Sequence, residues 1–286
     1  MKNVKFLIFF MLIYSIGYAD EFDDFYLKAE KASNAFYPKL KSYKCDVKTS
    51  QFDIIMNKMT ASMPKDLPRP ERPELKKYWH HKRGMIILLE GRKVFPYMQE
   101  FSRKMIAQFA LELNGFFLPL DKKKERDLLI RSAKKYVELK GDNVLLKVDF
   151  NDAMYVDGLF YKTGLPLPVQ EVKSISFTIN KYNGLINKMS ITSGIDKIVT
   201  YELTAEYDKK ENHHLLKVLK LSTDDNSVTA EFITEFGKIN GYYLPVKQIR
   251  VLDGKDIPEE QRKITIEFTN YLLNKKIPEK IYKNER

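Results

Sequence analysis

The sequence is poor in the residues from which most catalytic and cofactor sites are built. Of 286 residues, one is cysteine, four are histidine, one is tryptophan, and glycine and proline number twelve each. A lone cysteine, Cys45, excludes an internal disulfide and a cysteine-ligated metal cluster. The histidines occur as His80-His81 and His213-His214. Adjacent strand residues point to opposite faces, so neither pair offers two imidazoles to one ion, and both read as solvated surface. Glycines this scattered form no phosphate cradle. No His-Glu-x-x-His, Walker A loop or Gly-x-Ser-x-Gly elbow is present. Cys45 alternates with Tyr43 and Val47, the spacing of a core position rather than of an activated thiol. Asp23-Asp24 and Asp224-Asp225 fall at a helix start and a turn, where acids are ordinary. The expectation is a protein that is not an enzyme and carries no metal and no cofactor.

What is present is apolar and basic. Hydrophobic residues make up 44% and aromatics 13% of the chain, enough for a substantial core. The chain opens with Lys2 and Lys5, an uncharged run of 11 residues from Phe6 to Ile16, and Gly17-Tyr18-Ala19 before Asp20. That is the layout of a secretory signal peptide over residues 1–19, cleaved near Ala19, because a span needs ~20 apolar residues. Residues 20–286 then read as one exported domain. A composition rich in Ile, Lys, Asn and Tyr suits an AT-rich bacterial genome and places it in the periplasm.

The excess of 49 basic over 38 acidic residues gives +11, and loss of Lys2 and Lys5 with the leader lowers it to +9. Lys122–Lys124, Lys134-Lys135 and Lys275-Lys276 are short clusters with acids close to most of them. Export and the lack of an aromatic-basic signature argue against nucleic acid, leaving at most an attraction to anionic lipid surfaces.

Phe22, Phe25, Tyr26, Ala29, Ala32, Phe36 and Leu40 predict an amphipathic helix over 21–40, ended or kinked by Pro38. Tyr43, Cys45, Val47 and Thr49 predict a strand with one buried face. Met56, Met59 and Met63 precede Pro64, Pro68, Pro70 and Pro73, so 52–75 is expected to be extended loop. Arg83–Leu89 reads as a strand. Met98, Phe101, Met105, Ile106, Phe109 and Leu113 share a helical face over 97–113, and a shorter basic helix is expected at 121–135. From 136 onward apolar residues alternate between turn signals: a hairpin at Gly141-Asp142-Asn143, another at Asn183-Gly184, and a turn over Gly237–Gly241. Strands near Ile175–Ile179, Val199–Tyr207, Leu215–Leu221, Val228–Phe232, Tyr243–Leu252 and Ile264–Phe268 make one antiparallel meander without intervening helices. Leu215–Leu221 is apolar on both parities and has no assignable inner face.

The order helix, strand from Leu40-Lys41-Ser42-Tyr43, then late meander resembles the LolA-like outer-membrane lipoprotein carriers. The ending is the nearest local match: Gly241-Tyr242-Tyr243-Leu244-Pro245, Ile264–Phe268, Asn270-Tyr271, Asn274 and Ile277-Pro278. The Pro-rich loop and helices of 64–135 depart from the family, which has a glycine-containing strand pair there. The resemblance implies an α+β fold, an unclosed antiparallel β half-barrel covered by helices, whose concave face holds acyl chains. On that reading Val47, Phe177, Tyr201, Leu203, Phe232 and Phe268 line the cavity from strands. Met98, Phe101, Met105 and Phe109 line it from the helical cover. Each buried methylene contributes ~0.8 kcal/mol, so such a site binds without catalytic residues. The implied partners are acyl chains of lipoproteins or lipids, with an inner-membrane donor and an outer-membrane acceptor, and the carrier is a monomer. The alternative is a non-catalytic envelope β-scaffold that binds a protein partner, with the charged loop at 64–76 as docking arm.

Overall fold

A computed structural model of the chain describes residues 21–35, 37–61, 66, 74–91, 115–162, 165, 167–225, 229–253 and 259–283. The expected signal peptide, most of the Pro-rich loop and the helix of 97–113 lie outside these residues. The described elements are α1 (residues 21–33), β1 (Ser42–Thr49), α2 (Ser50–Ala61), β2 (Glu74–His80), β3 (Gly84–Glu90), α3 (Lys123–Arg131) and β4 (Lys134–Lys140). Then come β5 (Asn143–Met154), β6 (Val172–Asn180), β7 (Ile186–Ser193), β8 (Val199–Lys210), β9 (His213–Thr223), β10 (Thr229–Ile239), β11 (Tyr242–Asp253), α4 (Glu259–Arg262), β12 (Lys263–Leu273) and α5 (Lys280–Lys283). The twelve strands form a sheet in the order β3-β2-β1-β12-β11-β10-β9-β8-β7-β6-β5-β4, which is not closed. The meander from β4 to β12 matches the alternating pattern of the sequence. What period-two spacing does not reveal is that β12 continues into the N-terminal strand, with Val47 opposite Phe268 and Thr49 opposite Ile266.

The chain divides into two compact units. The first comprises Met1–Ala35, Asn114–Glu206 and Lys220–Ser227, and the second Phe36–Leu113, Tyr207–Leu219 and Val228–Arg286.

Several expectations are corrected. The first helix stops at residue 33, short of Pro38. Asn34 ends it: its N–H donates to the Glu30 carbonyl at 3.2 Å, and its Nδ2 donates to the carbonyls of Glu30 and Leu118, both at 2.9 Å, which ties the helix end to the 115–118 segment. Residues 50–61 are helix, not loop. Thr49 Oγ1 accepts from the Gln51 N–H at 3.3 Å and Asp53 sits in the first turn, so a cap and the dipole favour helix until the prolines begin. Glu74 already opens β2, inside the stretch expected as loop. The helix of 121–135 ends at Arg131, and Lys134 and Lys135 pair with Asp149 and Val148 as strand. The turn expected over Gly237–Gly241 is only Asn240-Gly241. Gly237 lies within β10, opposite Leu244, where a Cβ would stand 2.7 Å from Val246 Cγ1. One helical turn, α4, interrupts the meander before β12. β9 buries Leu215, Leu216, Val218, Leu219 and Leu221, from both parities, which explains its lack of an inner face in the sequence.

Candidate functional site

The inward face of the first unit is apolar along its two central rows, with buried Ser193 at the end of β7. Leu146, Phe177, Met189 and Leu203 form one cross-strand row over β5 to β8, and Val148, Ile175, Ile191 and Tyr201 form the next. All but Tyr201 are buried; Tyr201 is half-buried. The protein itself covers this face. Phe22, Tyr26 and Ala29 of α1 are buried, with Tyr26 edge-on to Phe177 at 6.4 Å and Phe160 at 6.3 Å from the same ring. Phe177 and Leu203, two of the expected lining residues, are therefore core beneath α1 in this structure.

An ionic clasp holds α1 down. Arg126 of α3 is fully buried and donates to Glu30 Oε2 of α1 at 2.5 Å, and to the carbonyls of Pro119 at 2.7 Å and Leu159 at 2.8 Å. Lys123 reaches Glu30 Oε1 at 2.8 Å. Burial raises the Tyr26 phenol well above its ordinary value, against the lowering effect of the Arg126 charge. The sequence offers one hint of this clasp, the alternation of charge and apolar residues along α3, which gives no sign that Arg126 is the buried member.

The second unit presents a different face. Leu75, Val47 and Phe268 stand in one row, and Tyr43 stacks on Trp79 at 5.3 Å. Cys45 is buried among them, as its alternation predicts. Phe52 and Met56 of α2 close over this cluster. The neighbouring rows are polar: Thr49, Ile266, Gln248 and Thr234, then Ile264, Arg250 and Phe232. Gln248 Nε2 donates to Thr234 Oγ1 at 3.1 Å. Arg250 lies 5.6 Å from the Phe232 ring, and Lys77 Nζ lies 4.8 Å from Phe268 and 5.7 Å from Tyr43. Burial pulls the Arg250 guanidinium down to about 10, so it stays a cation at neutral pH. Phe232 and Phe268 thus face inward, yet each ring stacks against a buried cation. Sequence reasoning missed Lys77 and Arg250. The signal was available for Lys77, which occupies the inward parity between Leu75 and Trp79.

A groove of about 520 Å³ opens where β1 and β2 meet the first turn of α2, lined by Val47, Phe52 and Leu75 with Asp46, Glu74 and Lys76. Lys76 bridges Asp46 at 2.7 Å and Glu74 at 2.6 Å. Partial burial opposes ionisation of Asp46, but the Asn270 amide and the Lys76 ammonium hold its carboxyl below the ordinary range. Val47 lines this groove and stands opposite Phe268, which does not; Phe232 lies two rows beyond. Met98, Phe101, Met105 and Phe109 lie outside the described residues.

The histidine pairs also differ from expectation. His81 is in the turn after β2 rather than on the strand, so the His80 and His81 rings lie 4.6 Å apart. Burial, then the charges of His81, Arg83 and Lys82, lower the His80 pKa, which disfavours a doubly protonated pair. His213 packs against Tyr37 at 4.2 Å. Among the described residues no group of three or more His, Cys, Asp or Glu could hold a metal ion, and no helix is long and apolar enough to cross a membrane.

No family model matches the sequence, and no curated protein does. Solved structures do resemble it. A LolA superfamily protein from Nitrosomonas europaea is 11% identical, with a TM-score of 0.32, over 89% of this chain and 95% of that one. A protein described as an outer membrane lipoprotein-sorting domain, from Vibrio parahaemolyticus, is 7% identical, with a TM-score of 0.37, over 90% and 94%. A chain of the MucA/MucB complex of Pseudomonas aeruginosa is 7% identical, with a TM-score of 0.22, over 87% and 93%. The chain is similar to LolA superfamily structures over about nine-tenths of its length.

Proposed function

We propose that the protein is an exported, periplasmic carrier that holds acyl chains of lipoproteins or lipids against the inward face of its second unit. The observation that carries this reading is the apolar row Leu75, Val47 and Phe268, which opens at the end of β1 into the groove under α2. Phe52 and Met56 bury that row in this structure, and an acyl chain that takes their place there gains ~0.8 kcal/mol per buried methylene. Met56 closes the row with a side chain that adapts to an occupant of variable length. Of the other expected lining residues, Phe177 becomes available when α1 is displaced in the first unit, and Met98, Phe101, Met105 and Phe109 belong to the proposal by their sequence spacing alone.

Native mass spectrometry of protein purified from the periplasm tests the reading directly. A co-purifying lipid or lipoprotein, or binding of a fluorescent acyl probe, is the expected result; absence of both ends the carrier reading. Val47→Trp, which fills the groove from its floor, should weaken the probe while the protein stays folded by circular dichroism. Unchanged affinity in a folded Val47→Trp protein places the acyl site elsewhere.

One observation favours the scaffold reading. Among the described residues β3, with its apolar Met85–Leu89 run, pairs only with β2 and ends the sheet. A strand with a free edge accepts a partner's extended segment. Capture of a protein partner that Ile87→Pro abolishes, with no acyl probe bound, would favour this scaffold.

A further inference from the structure

Beyond the inward face, the outer face of β1, β2 and β3 carries a second groove. We infer that it is a binding site for a single anionic phospholipid molecule, with an acyl chain on the groove floor and the phosphate among three lysines. The groove measures about 680 Å³, within the ~300–1,000 Å³ of small-molecule pockets. Its floor is apolar: Tyr78 and Leu88 from the sheet, Leu272 at the end of β12, and Ile277 and Ile281 from the segment that follows. Leu272 is 53% exposed, an apolar side chain turned to water beside other apolar groups.

The wall is built rather than draped. After β12 the chain is fastened to the start of β1: Asn274 N–H donates to the Ser42 carbonyl at 2.8 Å, and Ser42 Oγ donates to the Lys275 carbonyl at 2.7 Å. Lys41 N–H donates to Asn274 Oδ1 at 2.7 Å. Farther along, Arg83 lies over the Tyr282 ring at 5.3 Å and 3.7 Å from Glu279. These contacts keep the segment off the sheet at a set spacing and leave the groove open.

Charge decides the occupant. Lys275, Lys276 and Lys280 line the groove, are exposed, and have no acidic partner among the described residues. Lys44, the fourth lysine of the lining, is paired with Glu90. Glu90 is the one acid in the lining, and it is already engaged by Lys44 at 3.1 Å and by the Tyr78 hydroxyl. Three ammonium groups without an acidic partner among the described residues, lining a groove with an apolar floor, match a molecule with one anionic end and one hydrocarbon end. An acidic peptide would satisfy the lysines and leave the floor in water.

The test uses lysophosphatidylglycerol and lysophosphatidylcholine below their micellar concentrations, titrated into the purified protein. Leu272→Trp serves as reporter, with bromine on the acyl chain as quencher. The expected result is quenching by lysophosphatidylglycerol at least tenfold tighter than by lysophosphatidylcholine. The triple variant Lys275→Gln, Lys276→Gln, Lys280→Gln should lose roughly tenfold or more for the anionic lipid alone. These side chains are exposed, so the variant folds. Equal affinity for the two lipids, or an unchanged affinity in the triple variant, overturns the proposal. Displacement by a glutamate-rich peptide as readily as by unlabelled lysophosphatidylglycerol overturns it in favour of a peptide. Loss of acyl binding in Val47→Trp with quenching at position 272 intact would separate this site from the inward one.

Discussion

The two units solve the same problem differently. Each has a sheet face that must leave water and a helix laid against it. In the first, the two central rows of the face are apolar and the ions sit at the helix, where Arg126 and Glu30 clamp α3 to α1. In the second, α2 meets the face with Phe52 and Met56, and the polar groups are in the sheet itself: Lys77, Arg250, Gln248 and Thr234. A buried ion pair with both members present contributes little net stability, but losing one member strands a charge. The first unit is therefore held shut by a contact that fails as a whole. The second has its polar groups spread over separate strands, so that changes to it should be graded.

The largest expected effect breaks the clasp. Arg126→Met should cost the first unit ~3 kcal/mol, because buried Glu30 keeps only the half-exposed Lys123 and the Pro119 and Leu159 carbonyls lose their donor. In hydrogen exchange, amides of β5 and β6 should lose protection while those of β1 and β12 keep theirs; equal loss in both would show that the two units do not differ in this way. Next, Gly237→Ala drives a Cβ into Val246 and should cost ~1–3 kcal/mol in denaturant unfolding. Adding Val246→Ala should recover part of that loss, since the clash is with this side chain alone. Smaller again, Thr234→Val removes the hydroxyl that Gln248 donates to and should cost ~1 kcal/mol. That is several-fold less than the clasp, as the comparison requires.

The smallest effect is pH-dependent. Asp46 has a carboxyl pKa held below its ordinary 3.8, so its charged form is favoured in the folded state. That contribution is fully present above the unfolded value and is lost as pH falls through the folded one. The pair is only partly buried and is reached by solvent, so Asp46→Asn should cost about 1 kcal/mol or less at pH 7. The difference from wild type should close in thermal melts taken below pH 4; a gap that persists at pH 2 would mean a packing effect instead.

Much of the fold was legible because strand spacing has a short period and turns have their own chemistry. Asn183-Gly184 and Gly141-Asp142 mark their hairpins, and Cys45 sits in the core as its parity dictates. The helix of 50–61 was hidden because four nearby prolines outweighed a weak apolar pattern, although none of them falls within it. Of the candidate site, the inward parity of Val47, Phe232 and Phe268 was legible. The cations beside those rings were not, because a lysine or arginine in a strand is ordinarily read as solvent-facing. The groove along 275–281 was invisible for a related reason: its two walls are more than 180 residues apart in the chain.

The sequence alone determined the local content: the alternation of the strands and the turns between them. These depend on neighbours a few residues apart, which the chain order fixes. Tertiary structure alone decided that β12 pairs with β1, that Arg126 is the arginine of α3 that is buried, and that Lys275, Lys276 and Lys280 have no acidic partner among the described residues. Burial and charge compensation are properties of neighbours in space. In this sheet β1 and β12 lie side by side although they stand near opposite ends of the described chain.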